Sequence, residues 1–257
     1  MIVDRITSAK NPAIQRLRGL KDARARRTEG LFLVEGEVMI REALSCGLTL
    51  REAAADEGHS AFAEELAAQG HRVSLVTRSL LESICDTRTP QGICASFEIP
   101  EPLPLADLPD RIVALDGVQD PGNVGTIWRT ADAAGFQALL LGSGGADPLS
   151  PKVQRAAMGS GFRVPYALTD ALADALTQLR ERGWRIIASD LRGADFYARG
   201  DLGERFVLII GNEARGISDA VREAANVRLR LPMRGGAESL NAAVAAGIMM
   251  YELMRGK

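Results

Sequence analysis

The sequence is poor in the residues that build several common kinds of active site. It contains only two histidines, His59 and His71, both in polar surroundings, so a histidine-based triad or metal site is not expected. The three cysteines, Cys46, Cys85 and Cys94, are odd in number and lack CxxC spacing, which indicates reduced thiols rather than disulfides or zinc ligands. We therefore expect a cytoplasmic protein without a bound metal.

Long apolar runs are also missing. No segment approaches the roughly 20 apolar residues that cross a bilayer, and MIVDRITSAK at the start has an early Asp and no apolar region of a signal peptide. No membrane association is expected. Hydrophobic residues still make up 46% of the 257 residues and aromatic residues only 5%, which predicts an aliphatic core in one large or two medium domains.

The motifs that grip phosphate groups are absent as well. There is no GxxxxGK[ST] sequence, and GSGGAD at 142–147 has Asp147 where a dinucleotide loop needs its third glycine. The first strand of the C-terminal half is not followed by the acidic, Gly-rich loop of ordinary Rossmann-like methyltransferases. An α/β enzyme that uses another nucleotide remains an alternative, which calorimetry with nucleotides would separate.

The N-terminal half alternates short strand and helix patterns. Asn11-Pro12 predicts a helix cap followed by the first helical residue, and apolar residues then recur at helical spacing. Residues 1–99 are therefore expected to form a compact α/β domain. Strands are predicted at 31–34, 51–55, 72–76 and 93–97, and helices at 37–47, 60–69 and 79–84.

A Pro-rich segment separates the two halves. Four prolines lie between residues 100 and 109, which predicts an extended linker over 100–110. In residues 111–257, near-continuous apolar strands alternate with helices, as is typical of a mostly parallel sheet covered on both faces. Strands are predicted at 111–116, 138–142, 184–190, 205–211 and 227–231, and helices at 123–134, 151–158, 170–182, 217–225 and 240–255.

Three polar segments follow predicted strands of the C-terminal half, at the edge where open α/β sheets bind ligands. They are LDGVQDPGNVGTIWRTADAAGF at 115–136, LIIGNEARGIS at 208–218 and LRLPMRGGAESLNAAVAAG at 229–247. Each also has an ordinary structural interpretation, since Asn123 can cap a helix and Asn212-Glu213 can form a polar turn. The third segment holds more polar side chains before its helix than a cap needs.

Together, in this order and spacing, the segments resemble the motifs of the SpoU (TrmH-like) family of RNA ribose 2′-O-methyltransferases, of the SPOUT class. The first pairs an Asn with Arg-Thr-Ala six residues later, the second is Gly-x-Glu, and the third is Leu-Pro-Met followed by Ser-Leu-Asn. The resemblance covers residues 111–255. Residues 1–99 resemble the RNA-binding domain of the family more weakly, through SAKNPAIQRL and FLVEG. One departure is Met158, where many members have Ser.

The resemblance implies a fold and an activity. The fold would be a trefoil-knotted SPOUT domain with a mostly parallel sheet, preceded by a smaller α/β RNA-binding domain. The activity would be methyl transfer from S-adenosyl-L-methionine to a ribose 2′-OH of RNA, with rRNA favoured over tRNA, by a homodimer formed through the C-terminal domain. The alternative is an RNA-binding protein with a vestigial site, which loss of Asn123, Arg129 or Asn241 would indicate; all three are present.

The resemblance also assigns residues. The expected catalytic residues are Asn123, Arg129, Glu213, Ser239 and Asn241, and the expected cofactor contacts are Ile210, Gly211, Leu231, Met233 and Leu240. Arg129 would act either as a base or as a stabiliser of developing alkoxide charge. We prefer the second role, because an arginine is effectively always protonated.

A basic segment stands at the start of the chain, although the net charge is −2. Residues 1–30 hold eight Lys and Arg residues against three acidic ones. Such a segment either steers a polyanion or is a solvated helix face. We expect RNA contacts at Lys10, Arg24, Arg26 and Arg27.

Overall fold

The computed structural model describes residues 4–87 and 89–255. The chain forms two compact units. The first comprises the residues up to Glu101 together with Asp147–Phe162, and the second comprises Pro102–Ala146 and the residues from Arg163 onward. The sequence placed residues 147–162 in the C-terminal domain, whereas the structure groups them with the first unit, because the helix within them packs against a strand of that unit.

The first unit is built on a mixed five-stranded sheet with the order β1-β4-β3-β5-β2. Strands β1, β4 and β3 run parallel, and β5 is antiparallel to both β3 and β2. Strand β1 has three residues, which is too short to give an alternating pattern, and the sequence did not predict it. The strands are β1 (Asp4–Ile6), β2 (Leu31–Glu35), β3 (Leu50–Ala55), β4 (Val73–Val76) and β5 (Ile93–Glu98).

Short helices cover this sheet. The predicted cap is confirmed, because Asn11 Oδ1 accepts a hydrogen bond from the Ala13 amide at 2.9 Å and Pro12 is the first helical residue. Ile14 and Leu17 lie on the apolar side of that helix and are buried in the core. The helices are α1 (Pro12–Gly19), α2 (Ala23–Glu29), α3 (Glu37–Ser45), α4 (Ser60–Ala68), α5 (Arg78–Ile84) and, in the returning segment, α7 (Pro151–Ala157).

The second unit contains a six-stranded sheet with the order β11-β9-β10-β6-β7-β8. Every pairing among these strands is parallel, which confirms the predicted mostly parallel sheet. Strand β8 has four residues and was not predicted. The strands are β6 (Arg111–Asp116), β7 (Ala138–Gly142), β8 (Tyr166–Thr169), β9 (Arg185–Asp195), β10 (Phe206–Gly211) and β11 (Val227–Arg230).

Helices and the Pro-rich segment complete this unit. Leu108 is buried in its core, Leu103 and Leu105 pack against that core, and the Leu103 amide donates to the Tyr166 carbonyl at 2.8 Å. The segment predicted as a linker is therefore docked on the second unit. The remaining helices of this unit are α6 (Pro121–Ala134), α9 (Leu172–Glu181), α10 (Asp219–Ala224) and α11 (Ala242–Leu253), and α8 (Ser160–Arg163) holds the residues at which the chain passes from the first unit to the second.

Three further features concern the described part of the chain. Its helices are all too short or too polar to span a bilayer. It contains no group of three or more His, Cys, Asp or Glu side chains placed to hold a metal ion. The three cysteines are free thiols, and contact with Cys85 together with burial raises the pKa of Cys94, which keeps that thiol protonated.

Candidate active site

Two of the polar segments begin side by side at the carboxyl edge of the second sheet. The parallel register of β6 and β10 places Gly211 next to Asp116. A Cβ on Gly211 would stand 2.4 Å from the carbonyl carbon of Gly216 and the nitrogen of Ile217, so only glycine fits there. The Ser218 amide donates to Asp116 Oδ2 at 2.7 Å, which ties the end of the second segment to β6.

Asn212 fixes the shape of the turn that follows β10. Its Oδ1 accepts hydrogen bonds from the amides of Ala214 and Arg215 at 3.0 and 3.1 Å. Its Nδ2 donates to the Gly117 carbonyl at 2.8 Å. The side chain therefore shapes its own turn and fastens it to the loop after β6.

Glu213 clamps the same loop with its carboxylate. Oε1 accepts from Asn123 Nδ2 at 2.9 Å and from the Asp120 amide at 3.1 Å, and Oε2 accepts from the Gln119 amide at 3.1 Å. Partial burial opposes the charge, but these donors outweigh it and hold the pKa of Glu213 below its usual value. Glu213 is therefore an ionised anchor near neutral pH.

A side-chain relay joins the third segment to the other two. Asn241 Nδ2 donates to Asn123 Oδ1 at 2.9 Å, and Asn241 Oδ1 accepts from the amides of Ala243 and Val244 at the start of α11. Because backbone amides can only donate, Asn241 must present its oxygen to them and its NH₂ group to Asn123. The bonds Glu213–Asn123–Asn241 thus connect all three segments.

The predicted role of Asn123 as a helix cap is wrong. The cap of α6 is Asp120, whose Oδ1 accepts from the Asn123 amide at 2.8 Å, and Pro121 is the first helical residue. Asn123 is buried in the first turn, which leaves its side-chain amide for the relay. The Asp-Pro pair is a sequence signal that identifies this cap. The backbone amides of Gln119 and Asp120, which donate to Glu213, cannot be identified from the sequence in this way.

Arg129 lies on the exposed side of α6. Six residues of helix place it about 9 Å along the axis from Asn123 and about 120° around it. The structure therefore brings Asn123, Glu213 and Asn241 together but leaves Arg129 outside their hydrogen bonds. Among the residues that the structure describes, its guanidinium has neither a hydrogen-bond nor an ion-pair partner, so it is available to a substrate.

The expected cofactor contacts lie around the ends of β10 and β11. Ile210 and Leu231 are buried, Met233 is half-buried, and Ser239 and Leu240 are exposed. The backbone groups of residues 232–240 and the Ser239 hydroxyl form no hydrogen bond with the described residues. Backbone donors and acceptors that the fold leaves free suit a ligand such as S-adenosylmethionine, which has a hydrogen-bonding base and no phosphate.

One expected RNA contact needs correction. Lys10, Arg24 and Arg27 are exposed, but Arg26 is only 3% exposed, because the turn of α2 directs it inward. Its Nη1 donates to the carbonyls of Leu20 and Lys21, and its Nη2 pairs with Asp147 at 2.6 Å. Arg26 therefore caps α1 and holds the returning segment, and its guanidinium is not open to a phosphate.

Family models match most of the chain. Residues 110–251 match the SpoU rRNA Methylase family, and residues 11–95 match the MRM3-like substrate binding domain. The chain is 36% identical over 249 residues to the 23S rRNA (guanosine(2553)-2′-O)-methyltransferase RlmP of Bacillus subtilis, covering 96% of this chain and 98% of that relative. It is 32% identical over 207 residues to the 23S rRNA (guanosine-2′-O-)-methyltransferase RlmB of Bordetella pertussis, covering 78% and 84%.

Solved structures are similar over nearly the whole length. The AdoMet-bound rRNA methyltransferase from Sinorhizobium meliloti matches with a TM-score of 0.88 and 33% identity over 98% of each chain. The SpoU methyltransferase AviRb from Streptomyces viridochromogenes, in complex with AdoMet, matches with a TM-score of 0.84 and 30% identity over 96% of this chain and 98% of that one.

Proposed function

This chain belongs to the SpoU rRNA methylase family, and we propose that it transfers the methyl group of S-adenosyl-L-methionine to a ribose 2′-OH of RNA. The observation that carries the proposal is the Glu213–Asn123–Asn241 relay, which unites three polar segments at the ligand edge of a parallel sheet. The relatives RlmP and RlmB are named as 23S rRNA enzymes, which favours rRNA as the substrate class. A vestigial site is disfavoured, because the relay is complete and Arg129 is present.

The proposed cofactor site lies between the segments that follow β10 and β11. Backbone groups around Leu231 and Met233 would bind the adenine, and Ile210 and Leu240 would supply apolar contacts. Gly211 would let the chain at Gly216 and Ile217 pack closely against the end of β10, which shapes the turn beside the cofactor. A trefoil knot through these segments is part of the proposal. It is supported by the similarity to the S. meliloti and AviRb structures, both of which contain bound AdoMet.

Different residues of the chain would have different roles in methyl transfer. S-Adenosylmethionine, when bound, supplies an electrophilic methyl group on a good leaving group. Arg129 would bind the ribose oxygen or an adjoining phosphate and stabilise alkoxide charge as the 2′-OH proton passes to solvent water. Asn123 and Asn241 hold fixed amides at the site, and the exposed Ser239 hydroxyl would orient the ribose. Glu213 is ionised and accepts three hydrogen bonds, so it holds the frame together rather than taking the proton.

The domain roles and assembly complete the proposal. Residues 1–99 would bind the RNA through Lys10, Arg24 and Arg27. Residues 100–110 would connect this domain to residues 111–257, which would catalyse the reaction. Free thiols support a cytoplasmic location.

A homodimer through the second unit is supported by an exposed apolar row around α11. This row consists of Leu240, Val244 and Tyr251, which are 37%, 51% and 56% exposed and recur at helical spacing.

Two measurements test the proposed activity. Calorimetry is expected to detect binding of S-adenosylmethionine and S-adenosylhomocysteine by the purified protein, but not of NAD. Ribose methylation mapped across total RNA, from cells with and without the protein, is expected to differ at a site in rRNA. Unchanged methylation together with no affinity for S-adenosylmethionine would overturn the proposal.

A further inference from the structure

A row of arginines without acidic partners lies on the second unit. Most other arginines of this unit are engaged, as in the pairs Arg111–Glu204 and Arg222–Asp190 or the bonds from Arg182 to backbone carbonyls. The row is different, because its guanidinium groups are exposed and have no hydrogen-bond or ion-pair partner within residues 4–87 and 89–255. We call Arg192, Arg228, Arg230 and Arg234 the arginine row.

The fold places these four residues on the edge strand β11, on the bulge that lies against it and in the loop that follows it. Arg228 and Arg230 belong to β11, which is the edge strand of the sheet, and they are two residues apart. Their side chains therefore share one face, about 6.6 Å apart along the strand. Arg234 follows in the loop after β11. The row thus leads from the sheet edge into the segment that contains Leu231 and Met233.

Arg192 joins the row through a shift in strand register. The pairing of β9 with β11 jumps between Arg228 and Leu229, so residues 189–193 bulge from β9. A Cβ on Gly193 would stand 2.6 Å from backbone atoms of Arg228 and Leu229, which shows that this bulge lies directly against β11. Arg192, which precedes Gly193, is therefore adjacent to the strand that carries Arg228 and Arg230.

Two of the acidic groups close to the row already accept hydrogen bonds from other residues or from backbone amides. Asp190 accepts from Arg222 Nε at 3.0 Å and from the Arg192 amide. Asp195, opposite Arg230 in the register, accepts from the Tyr197 amide. Glu238, in the same loop as Arg234, offsets part of the charge. A concentration of like charge disfavours folding unless an anionic partner neutralises it.

We infer that the arginine row binds backbone phosphates of the substrate RNA beside the nucleotide that is methylated. This inference rests on the proposed function and adds an RNA surface on the second unit. Guanidinium groups match phosphate oxygens in a bidentate geometry, and such contacts position an RNA strand without reading its sequence. A pair of arginines on alternate residues of a strand presents two such groups in line.

Charged residues on an edge strand also prevent sheets from pairing edge to edge. That role needs only charge and predicts a loss of solubility when the charges are removed. A phosphate-binding role predicts instead a loss of RNA affinity and of its salt dependence. The two roles are therefore separable by measurement.

The test replaces Arg228 and Arg230 together by Ala in the full-length protein and measures RNA affinity across a KCl series. Each lost phosphate contact reduces the slope of log K against log[KCl] by about 0.7 to 0.9, so the slope is expected to fall by about 1.5. Affinity for S-adenosylmethionine is expected to stay at the wild-type value. The matched control is Arg185→Ala, which removes an exposed arginine at the opposite end of β9 whose guanidinium has no partner among the described residues.

An unchanged slope and RNA affinity in Arg228→Ala/Arg230→Ala, with cofactor affinity retained, would overturn the inference, as would an equal effect of Arg185→Ala. If the double variant does not fold, the single variants Arg192→Ala and Arg234→Ala test the inference instead, since each is expected to lower the salt slope of RNA binding by about 0.7 to 0.9. A wild-type protein that neither binds S-adenosylmethionine nor methylates RNA counts against the proposed function. If the wild-type protein methylates RNA but the variants keep the wild-type salt slope, only the inference about the arginine row is rejected.

Discussion

Asn241 Nδ2 donates a hydrogen bond to Asn123 Oδ1 at 2.9 Å, although the two residues are 118 positions apart in the chain. Asn123 in turn donates through its own Nδ2 to Glu213, which also accepts a hydrogen bond from the amide of Asp120, the cap of α6. A contact over such a sequence distance forms only when β6, β10 and the start of α11 are all in place. The relay therefore couples the geometry of the site to the folding of the second unit.

Replacing Asn123 by Ala is expected to destabilise the protein by about 1–3 kcal/mol, because Asn241 Nδ2 loses its acceptor and Glu213 loses a donor. Asn123→Asp is expected to cost more, since it places a second carboxylate against Glu213. Urea unfolding measures both. Thr126→Ala, at an exposed position on the same helix, is the control and is expected to stay within about 0.5 kcal/mol of wild type. Equal stability of all three variants would contradict the relay.

The lowered pKa of Glu213 gives a pH-dependent prediction. A carboxylate whose pKa is depressed by folding stabilises the protein above its unfolded pKa of about 4.3, and this stabilisation is lost as the pH falls through the folded pKa. Glu213→Gln removes that titration. The difference in unfolding free energy between wild type and variant is expected to be largest near neutral pH and to shrink in acid. Parallel curves from pH 3 to pH 7 would show that Glu213 does not titrate as described.

Arg129 is exposed and unpartnered among the described residues, so its loss is expected to change stability by no more than about 0.5 kcal/mol. Single-turnover methylation by Arg129→Ala is nevertheless expected to slow by about 10²–10³, with cofactor affinity unchanged. Arg129→Lys is expected to recover little, because a point charge does not copy the planar fork. Near-wild-type rates in the Ala variant would remove Arg129 from the mechanism.

Gly211→Ala is expected to abolish cofactor binding, because the added Cβ would collide with backbone atoms of Gly216 and Ile217 at 2.4 Å. Calorimetry with S-adenosylhomocysteine measures the effect. Gly200→Ala is the matched control, since a Cβ there meets nothing within 4 Å. Retained affinity in Gly211→Ala would show that the close approach is not required for the site.

The basic arm separates into two roles that paired variants distinguish. Arg24→Ala/Arg27→Ala is expected to weaken RNA binding and lower its salt slope without changing stability, because both side chains are exposed. Arg26→Ala is expected to destabilise the fold, because it leaves Asp147 without its partner. The outcome that contradicts this division is a stable Arg26→Ala protein with reduced salt slope.

The sequence predicts the long apolar elements well and the short or charged ones poorly. Strands β1 and β8 have three and four residues, and α2, with the sequence ARARRTE, has no apolar periodicity. These elements form because neighbouring strands and caps stabilise them, and a local pattern does not record such partners. Asp22 does cap α2, since its Oδ1 accepts from the Arg24 amide, but a single Asp before ARARRTE does not by itself predict a helix.

The candidate site divides in the same way. The residue types and spacing of the three segments predict which side chains belong to it. The hydrogen bonds do not follow from the sequence, because Glu213 is held by backbone amides of Gln119 and Asp120, which any residue provides. The inward position of Arg26 does not follow from the sequence either, because its partner, Asp147, lies 121 positions away.

Whether this protein methylates a ribose 2′-OH of RNA is read directly from the products of the reaction. The wild-type protein is incubated with unmodified rRNA and isotope-labelled S-adenosylmethionine, and the RNA is digested to nucleosides for fragmentation in a mass spectrometer. The expected result is label that stays with the ribose when the base is released, and almost no label with Arg129→Ala. Label on the base fragment, or no labelled nucleoside from the wild-type reaction, would show that the protein is not a ribose 2′-O-methyltransferase.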